Sequence, residues 1–465
     1  MMIEILIFLN HKEYKPSKKD FIMKIEKKIK STLSAPNISR RGFVTAAGTA
    51  GLSLTALGLV AQEARAATLM SDLTMAPTAN PENSYPDWFP SWDRVVEMAK
   101  KEGQVQVSAW GGPEVKDHYN KLSRSFEKNY GIKVKYTHGD WFSAQQMVLG
   151  DVKSGNPEGK IDCIFLWGKP FSNLLQGNGV WEVPILNLLP NSRGIAHRPE
   201  LGRFVHDMVP TYGTFVPHVN WQNCFVYDKT KYKRSDMPDK ITGVLEWAKA
   251  HKGEFTYCDF NKGGSGHTFG MTLIYELTGG YNKYAFKPYD SKIADNDWGA
   301  LWDYLNELEE YCYQPGTYPQ GNAAVAQLFS AGELGFCVNW DAAMAGQVKQ
   351  GFLDPDRLGM YIPEPGIFSP LDGFTIPVNA PNKAAALLFL DHITSVESQM
   401  TIPTIIGSYP SVTKAWDNLS QEQRDQPWHP EKDLGAWRDL GTIGARHGEY
   451  MFRMMQDWVV KVAQG

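Results

Sequence analysis

From Trp88 onward, short apolar runs alternate with stretches whose apolar positions recur every three to four residues. That alternation builds parallel sheets joined by crossover helices. Ser91 is placed to cap a helix through Lys101 that Gly103 stops; residues 104–110 read as a strand ending in Gly111-Gly112. An amphipathic helix over 114–130 is closed by Gly131, and 132–136 and 161–167 read as further strands, the last apolar throughout and ended by Gly168.

After Gly213 the pattern predicts that the chain leaves this first lobe. Residues 216–228 form a long extended run, followed by a helix at 242–251, a strand at 254–259 and a glycine-rich turn at 263–266. Helical stretches are expected at 267–278, 298–311 and 322–331, with a strand at 335–340. Strands at 358–365 and 373–378 would return the chain, with helices at 384–393 and 437–462 packed on the first lobe. The expected division is 89–218 for the first lobe, 219–370 for the second, and 371–465 for the return with the C-terminal helices. At 465 residues the chain exceeds one ordinary core, which agrees with two lobes.

Residues 1–66 follow another logic. Ser39-Arg40-Arg41-Gly42-Phe43 precedes a mildly apolar run, 44–60, and Ala64-Arg65-Ala66 offers a small-x-small cleavage site. Paired arginines, weak hydrophobicity and this ending resemble a twin-arginine export signal with a long Lys-rich leader, cut after Ala66. Translation could begin at Met1, Met2 or Met23. A membrane anchor is the alternative, but 17 residues with three Gly and four Ser or Thr are short and polar for a span of about 20. Residues 67–88, polar and Pro/Asn-rich, read as a linker.

Hydrophobic residues make up 43% and charged residues 21%, a globular rather than disordered balance. Without residues 1–66 the chain holds 36 basic and 46 acidic groups, a net charge of −10 against −4 for the whole. Nucleic acid is therefore not an expected partner, because phosphate binding needs a positive face. Cys163, Cys224, Cys258, Cys312 and Cys337 are widely spaced, which suggests neither a zinc site nor a redox motif. An oxidising compartment permits disulfides, yet buried free thiols are the preferred reading.

Several segments, in order, resemble the extracellular solute-binding proteins of ABC importers, in the type II group of polyamine, iron and thiamine binders. They are VQVSAWGGPEVKDHYNKLSRSFEKNYGIKVKYTHGDW from Val105, GKIDCIFLWGKPFSNLLQGNGVWEVP from Gly159 and VPTYGTFVPHVNWQNCFVYDKTKY from Val209. AAVAQLFSAGELGFCVNWDAAMA from Ala323 and FTIPVNAPNKAAALLFLDHITSVESQ from Phe374 continue the series. The resemblance implies two α/β lobes joined by a hinge (the periplasmic-binding-protein type II fold), a solute held between them, an inner-membrane ABC permease as partner, the twin-arginine translocase during export, and a monomer in the periplasm. The adjacent tyrosine pair of iron binders is missing, Tyr311-Cys312-Tyr313 being the nearest approach.

In such folds the loops at the carboxyl ends of strands face the cleft. That rule selects Trp110 and Gly111, Asp140 and Trp141, Trp167 and Gly168, Trp221 at the crossing, Ser265, Gly266 and Thr268 at a helix start, and Trp340 with Asp341. The rings would stack on an organic solute or hold a cation over a π face; alternatively each seals its own lobe. Asp140 and Asp341 would neutralise an amine, or simply cap helices. Residues 263–268 present N–H groups and hydroxyls that would suit an anion, or form a plain turn. Using both charges together would suit a zwitterion. No cofactor or metal is indicated, since the histidines show no ligand spacing. A secreted enzyme is disfavoured by the absence of a nucleophile-elbow or zinc-protease motif. A sensing module of the same fold is the remaining rival.

Overall fold

Ser91 accepts a hydrogen bond from Arg94 N at 3.3 Å and so starts α1 (Trp92–Glu102), which Gly103 ends in the left-handed conformation. The computed structural model describes residues 91–195, 205–206, 209–284, 289–364, 366–368, 370–429 and 448–464. The expectations for the leader, for Arg40, Arg41 and Ala66, and for the linker lie outside them.

The first lobe opens with β1 (Gln104–Ala109), α2 (Pro113–Tyr130), β2 (Lys133–His138), α3 (Trp141–Ser154), β3 (Cys163–Leu166) and α4 (Gly168–Gln176). Its sheet runs β10-β4-β9-β3-β1-β2, where β4 is Phe215–Asn220, β9 is Leu371–Thr375 and β10 is Tyr409–Pro410. β1 lies parallel to β2 and β3, whereas β9 is antiparallel to β3 and β4. Helix α10 (Lys383–Ile393) is buried from Ala384 to Ile393, and the Glu102 carboxylate caps its N-terminus by accepting from Ala384 N and Ala385 N at 3.3 and 2.7 Å.

The second lobe holds a four-stranded sheet, β8-β5-β7-β6, of Leu358–Tyr361, Asn223–Asp228, Phe336–Trp340 and Phe255–Thr256. Around it lie α5 (Val244–Ala250), α6 (Gly264–Leu277), α7 (Gly299–Glu309), α8 (Asn322–Ser330) and α9 (Asp341–Lys349). The extended run over 216–228 is thus two strands in different sheets, divided by Trp221 and Gln222 alone. The strand expected at 254–259 shrinks to two residues, because Tyr257 and Phe260 leave the sheet to pack with Phe269, Tyr318 and Trp458.

One expectation is corrected. The C-terminal helix α11 (Gly448–Trp458) packs mainly on the second lobe, where Tyr450 meets Tyr284 and Trp298, and Trp458 stacks on Phe260, while Phe452 and Glu449 touch Trp167 and Lys169 of the first. Its apolar face, Tyr450, Met451, Met454 and Trp458, belongs to the second lobe's aromatic core. All five cysteines are buried free thiols.

A buried polar chain ties the first lobe together. Gln399 Oε1 accepts from Ser411 N at 2.8 Å, so its amide nitrogen donates to His218 Nδ1 at 2.8 Å. His218 Nε2 then donates to His118 Nε2 at 3.0 Å, and His118 Nδ1 donates to Thr401 Oγ1 at 3.1 Å. This order keeps both rings neutral. Burial holds His118 down to about 3 and His218 well below the ordinary histidine value. The unfolded chain therefore takes up two protons near pH 6.5 that the folded chain refuses, so this contribution to stability is full above that pH and lost as pH falls. Buried carboxyls held high, such as Asp391 at about 6, act in the opposite sense. Their effect cancels in a comparison of slopes: between pH 6 and 5 the wild type should lose up to about 1.4 kcal/mol per pH unit more than His118→Gln, as urea unfolding at each pH would measure.

Candidate functional site

The chain passes from β1 to β2 on one side and then to β3 on the other, so a crevice opens outside the carboxyl ends of β1 and β3. Trp110 and Trp167 stand at those two ends. Trp110 donates from Nε1 to the Phe165 carbonyl at 3.0 Å, and its half-buried ring packs on Phe165 with centroids 5.7 Å apart. Trp167 is 8% exposed, stacks on Phe452 of α11 at 6.2 Å, and meets Trp141 edge-on at 5.4 Å. Gly168 is buried as the first residue of α4, and Gly111 is exposed in the turn after β1.

Asp140 is separate from this group. It is exposed and caps α3, accepting from Ser143 N at 2.7 Å, and the Ser143 hydrogen bonds hold its carboxyl below the usual range. The capping reading accounts for this residue.

In the second lobe α6 begins at Gly264, so the glycine-rich segment is the helix's first turn rather than a loop before it. Ser265 donates from N and Oγ to Asn322 Oδ1 at 3.0 and 2.9 Å, and Gly266 N donates to Cys258 Sγ at 3.2 Å. A Cβ at Gly266 would fall 2.2 Å from the Cys258 carbonyl oxygen, so only glycine fits there. Thr268 Oγ1 donates to Gly264 O at 2.8 Å and accepts from Asn223 Nδ2. The expectation that Ser265, Gly266 and Thr268 offer donors to a ligand is corrected: these groups are fully buried or engaged inside their own lobe. Trp340, half-buried, covers Gly264, where a Cβ would lie 3.0 Å from its Nε1.

The most unusual electrostatics surround Asp341. It is the first residue of α9 rather than its cap, and is fully buried. Oδ1 accepts from Ala342 N at 2.7 Å and from Ser408 Oγ, on the first lobe, at 2.6 Å; Oδ2 has no partner. Its backbone N–H donates to Gln222 O at 3.0 Å, and the buried Gln222 Oε1 is likewise unpartnered. Burial pushes Asp341 up to about 7, against the Ser408 and backbone hydrogen bonds that lower it. Trp221 donates from Nε1 to Asp372 Oδ2 at 2.9 Å beside the same crossing. Lys349, at the other end of α9, is exposed, and the charges of Glu114 and Asp341 favour its protonated form.

Gln222, Ser408, Glu114, Lys349 and Asp372 were not singled out from the sequence. Lys349 was within reach of a sequence argument, since 341, 345 and 349 share a helix face at i, i+4, i+8 spacing. Ser408 was not, being 67 residues from its partner. A depression of about 410 Å³ between the 313–319 loop and α8, lined by Tyr313, Thr317 and Leu328 among others, contains none of these groups and no charged side chain. Among the described residues no three His, Cys, Asp or Glu side chains assemble as metal ligands, and no helix is long and apolar enough to cross a membrane. Asn322 should prove structural. Asn322→Ala strands the buried Ser265 donors and is expected to cost about 1–3 kcal/mol in urea unfolding.

Residues 121–428 match the family described as bacterial extracellular solute-binding protein. No protein of curated function matches the chain. Among solved structures, an ABC transporter protein from Clostridium perfringens is 18% identical, with 77% of this chain and 99% of that one covered and a TM-score of 0.57. The spermidine/putrescine ABC transporter substrate-binding protein from Streptococcus pneumoniae is 13% identical over 76% and 99%, with a TM-score of 0.54. The periplasmic binding protein AfuA from Actinobacillus pleuropneumoniae, with fructose-6-phosphate bound, is 16% identical over 78% and 100%, with a TM-score of 0.52. Identities this low establish the two-lobed fold and leave the ligand open. With the family matched over some two thirds of its length, the chain belongs to the bacterial extracellular solute-binding proteins, a family of binders rather than catalysts.

Proposed function

We propose that this protein is the solute-binding component of an ABC importer, exported by the twin-arginine route and acting as a monomer outside the cytoplasmic membrane, and that its solute is a small organic cation. The observation that carries the cationic reading is Asp341 Oδ2, an acceptor buried between the lobes with no donor to meet it. Gln222, whose backbone carbonyl accepts from Asp341 N, carries a second unmet acceptor in its Oε1. A protonated amine supplies the missing donors, and the half-buried rings of Trp110 and Trp340 offer π faces for its apolar part.

A zwitterion fits less well. Its anionic half would need donors, yet Ser265 N and Gly266 N are already used, and Lys349 Nζ donates to Thr404 O and Ile405 O at 3.1 and 2.8 Å. Attraction between unit charges about 4 Å apart in a partly buried site is on the order of 4 kcal/mol, which favours a cation over a neutral solute of the same shape.

Titration calorimetry and thermal shift with putrescine, agmatine and choline as probes, beside citrate and a sugar phosphate, test this reading. A cation at 100 times its Kd should add about 2.7 kcal/mol of stability, and Asp341→Asn should weaken it about 10–100-fold. Stabilisation by the anions alone, or undiminished cation binding by Asp341→Asn, would refute it. Because the empty site holds Asp341 near 7, a cation must expel a proton below that pH, so its Kd should rise up to about tenfold from pH 7 to 6. Export is tested separately: replacing Arg40 and Arg41 with Lys should leave the precursor in the cytoplasm, and undiminished export of that variant would exclude the twin-arginine route.

A further inference from the structure

The two lobes meet along one face of α9. Asp341 at its first residue accepts from Ser408 Oγ at 2.6 Å. One turn on, Ala345 touches Gly407, which ends the π-turn Ile402–Ile406 at φ 91°; a Cβ on Gly407 would lie 2.3 Å from that of Ala345, so both conformation and space require glycine. At the last residue of the helix, Lys349 Nζ donates to the Thr404 and Ile405 carbonyls, which the end of the π-turn leaves free, and lies 4.7 Å over the Trp428 ring. The apolar residues interlock in the same place. Ala342, on the second-lobe helix, belongs to the first lobe's core cluster, whereas Trp428, on the return segment, belongs to the cluster of Met344 and Ala345.

We propose that α9 and the 402–408 turn form a clasp that holds the lobes closed without solute, and that Asp341 couples this clasp to the binding site. The coupling rests on the reading of Asp341 given above; the clasp does not. Relative motion is the default for lobes joined by small polar contacts, and a face with exchanged apolar residues, hydrogen-bonded at both ends of α9, departs from that default. Asp341 is shared because its two oxygens face different partners, Oδ1 the clasp and Oδ2 the unmet position. Opening the lobes strips Ser408 from Oδ1 and both carbonyls from Lys349 in one movement.

Paired spin labels measure this directly, and the five buried cysteines leave engineered sites as the ones open to label. With Lys128→Cys on the first lobe and Glu310→Cys on the second, electron–electron double resonance on exhaustively dialysed protein should show one narrow short-distance population. Lys349→Met, which keeps the stem over Trp428, and Ser408→Ala should each move at least half of that population to longer, broader distances, with circular dichroism unchanged. Lys169→Met, which removes the partly exposed Lys169–Glu449 pair on the other side of the lobe contact, should leave it in place. A broad open distribution in the wild type, no opening in either clasp variant, or equal opening in Lys169→Met would each overturn the clasp. None of these readings involves solute. The site therefore fails on its own if Asp341→Asn keeps cation binding while the clasp variants open, and the clasp fails on its own in the converse result.

Discussion

Two residues, Trp221 and Gln222, separate the last hydrogen-bonded position of one sheet from the first of the other, and what their backbone bonds to governs how the lobes meet. A peptide group between two sheets has no ladder to join and must find partners elsewhere if buried. Trp221 N finds the Pro370 carbonyl at 2.9 Å, just before the returning strand β9, and Gln222 O accepts from Asp341 N at 3.0 Å. The outgoing crossing is thereby tied to the return crossing and to the first residue of α9. Satisfying the crossing brings a carboxylate to the boundary between the lobes.

The first lobe supplies a firm base for that meeting. Gln399 and Thr401 close the two ends of the histidine chain, and the π-turn that touches α9 begins at the next residue, Ile402. A hydrogen-bonded sequence running through α2, β4 and the return segment thus holds the turn whose far end carries Gly407 and Ser408. Neutral imidazoles suit this place, because each ring both donates and accepts, whereas an imidazolium would lack the acceptor that keeps the order intact. Buried polar networks of this kind favour one arrangement over near neighbours.

How much of this could be read from the chain follows from the range of each interaction. Strands and helices came through because burial and periodicity are local: β1, α2, α7, α8 and α10 lie within one or two residues of expectation. The start of α6 did not: the glycines read as a turn before the helix, and its N-terminal donors are met by Asn322, 57 residues away. The face of α11 was visible as Tyr450, Met451, Met454 and Trp458, but an apolar face does not say which core it enters. The two aspartates beside tryptophans show the same limit. Asp140 precedes its tryptophan and caps a helix in solvent, whereas Asp341 follows its tryptophan, falls inside the helix and is buried. One position relative to a helix start separates a solvent-exposed capping carboxylate from a fully buried one.

A lobe contact that stands without solute changes how binding energy is used. In a receptor that is open when empty, each solute must offset the cost of closing, and its apparent affinity is reduced by the fraction of molecules already competent. Where closure is built into the protein, that cost is met by Ala342, Trp428 and the ends of α9, so the solute's contacts go to affinity alone. The penalty falls on kinetics instead, since entry waits for the clasp to part. On the cationic reading proposed above, Asp341 would limit how long it waits: Oδ2 is a buried carboxylate oxygen short of a partner, a cost that favours occasional opening and that a cation would remove. On that reading the same oxygen weakens the closed state without solute and strengthens it with solute, which is the difference a protein closed at rest needs in order to respond.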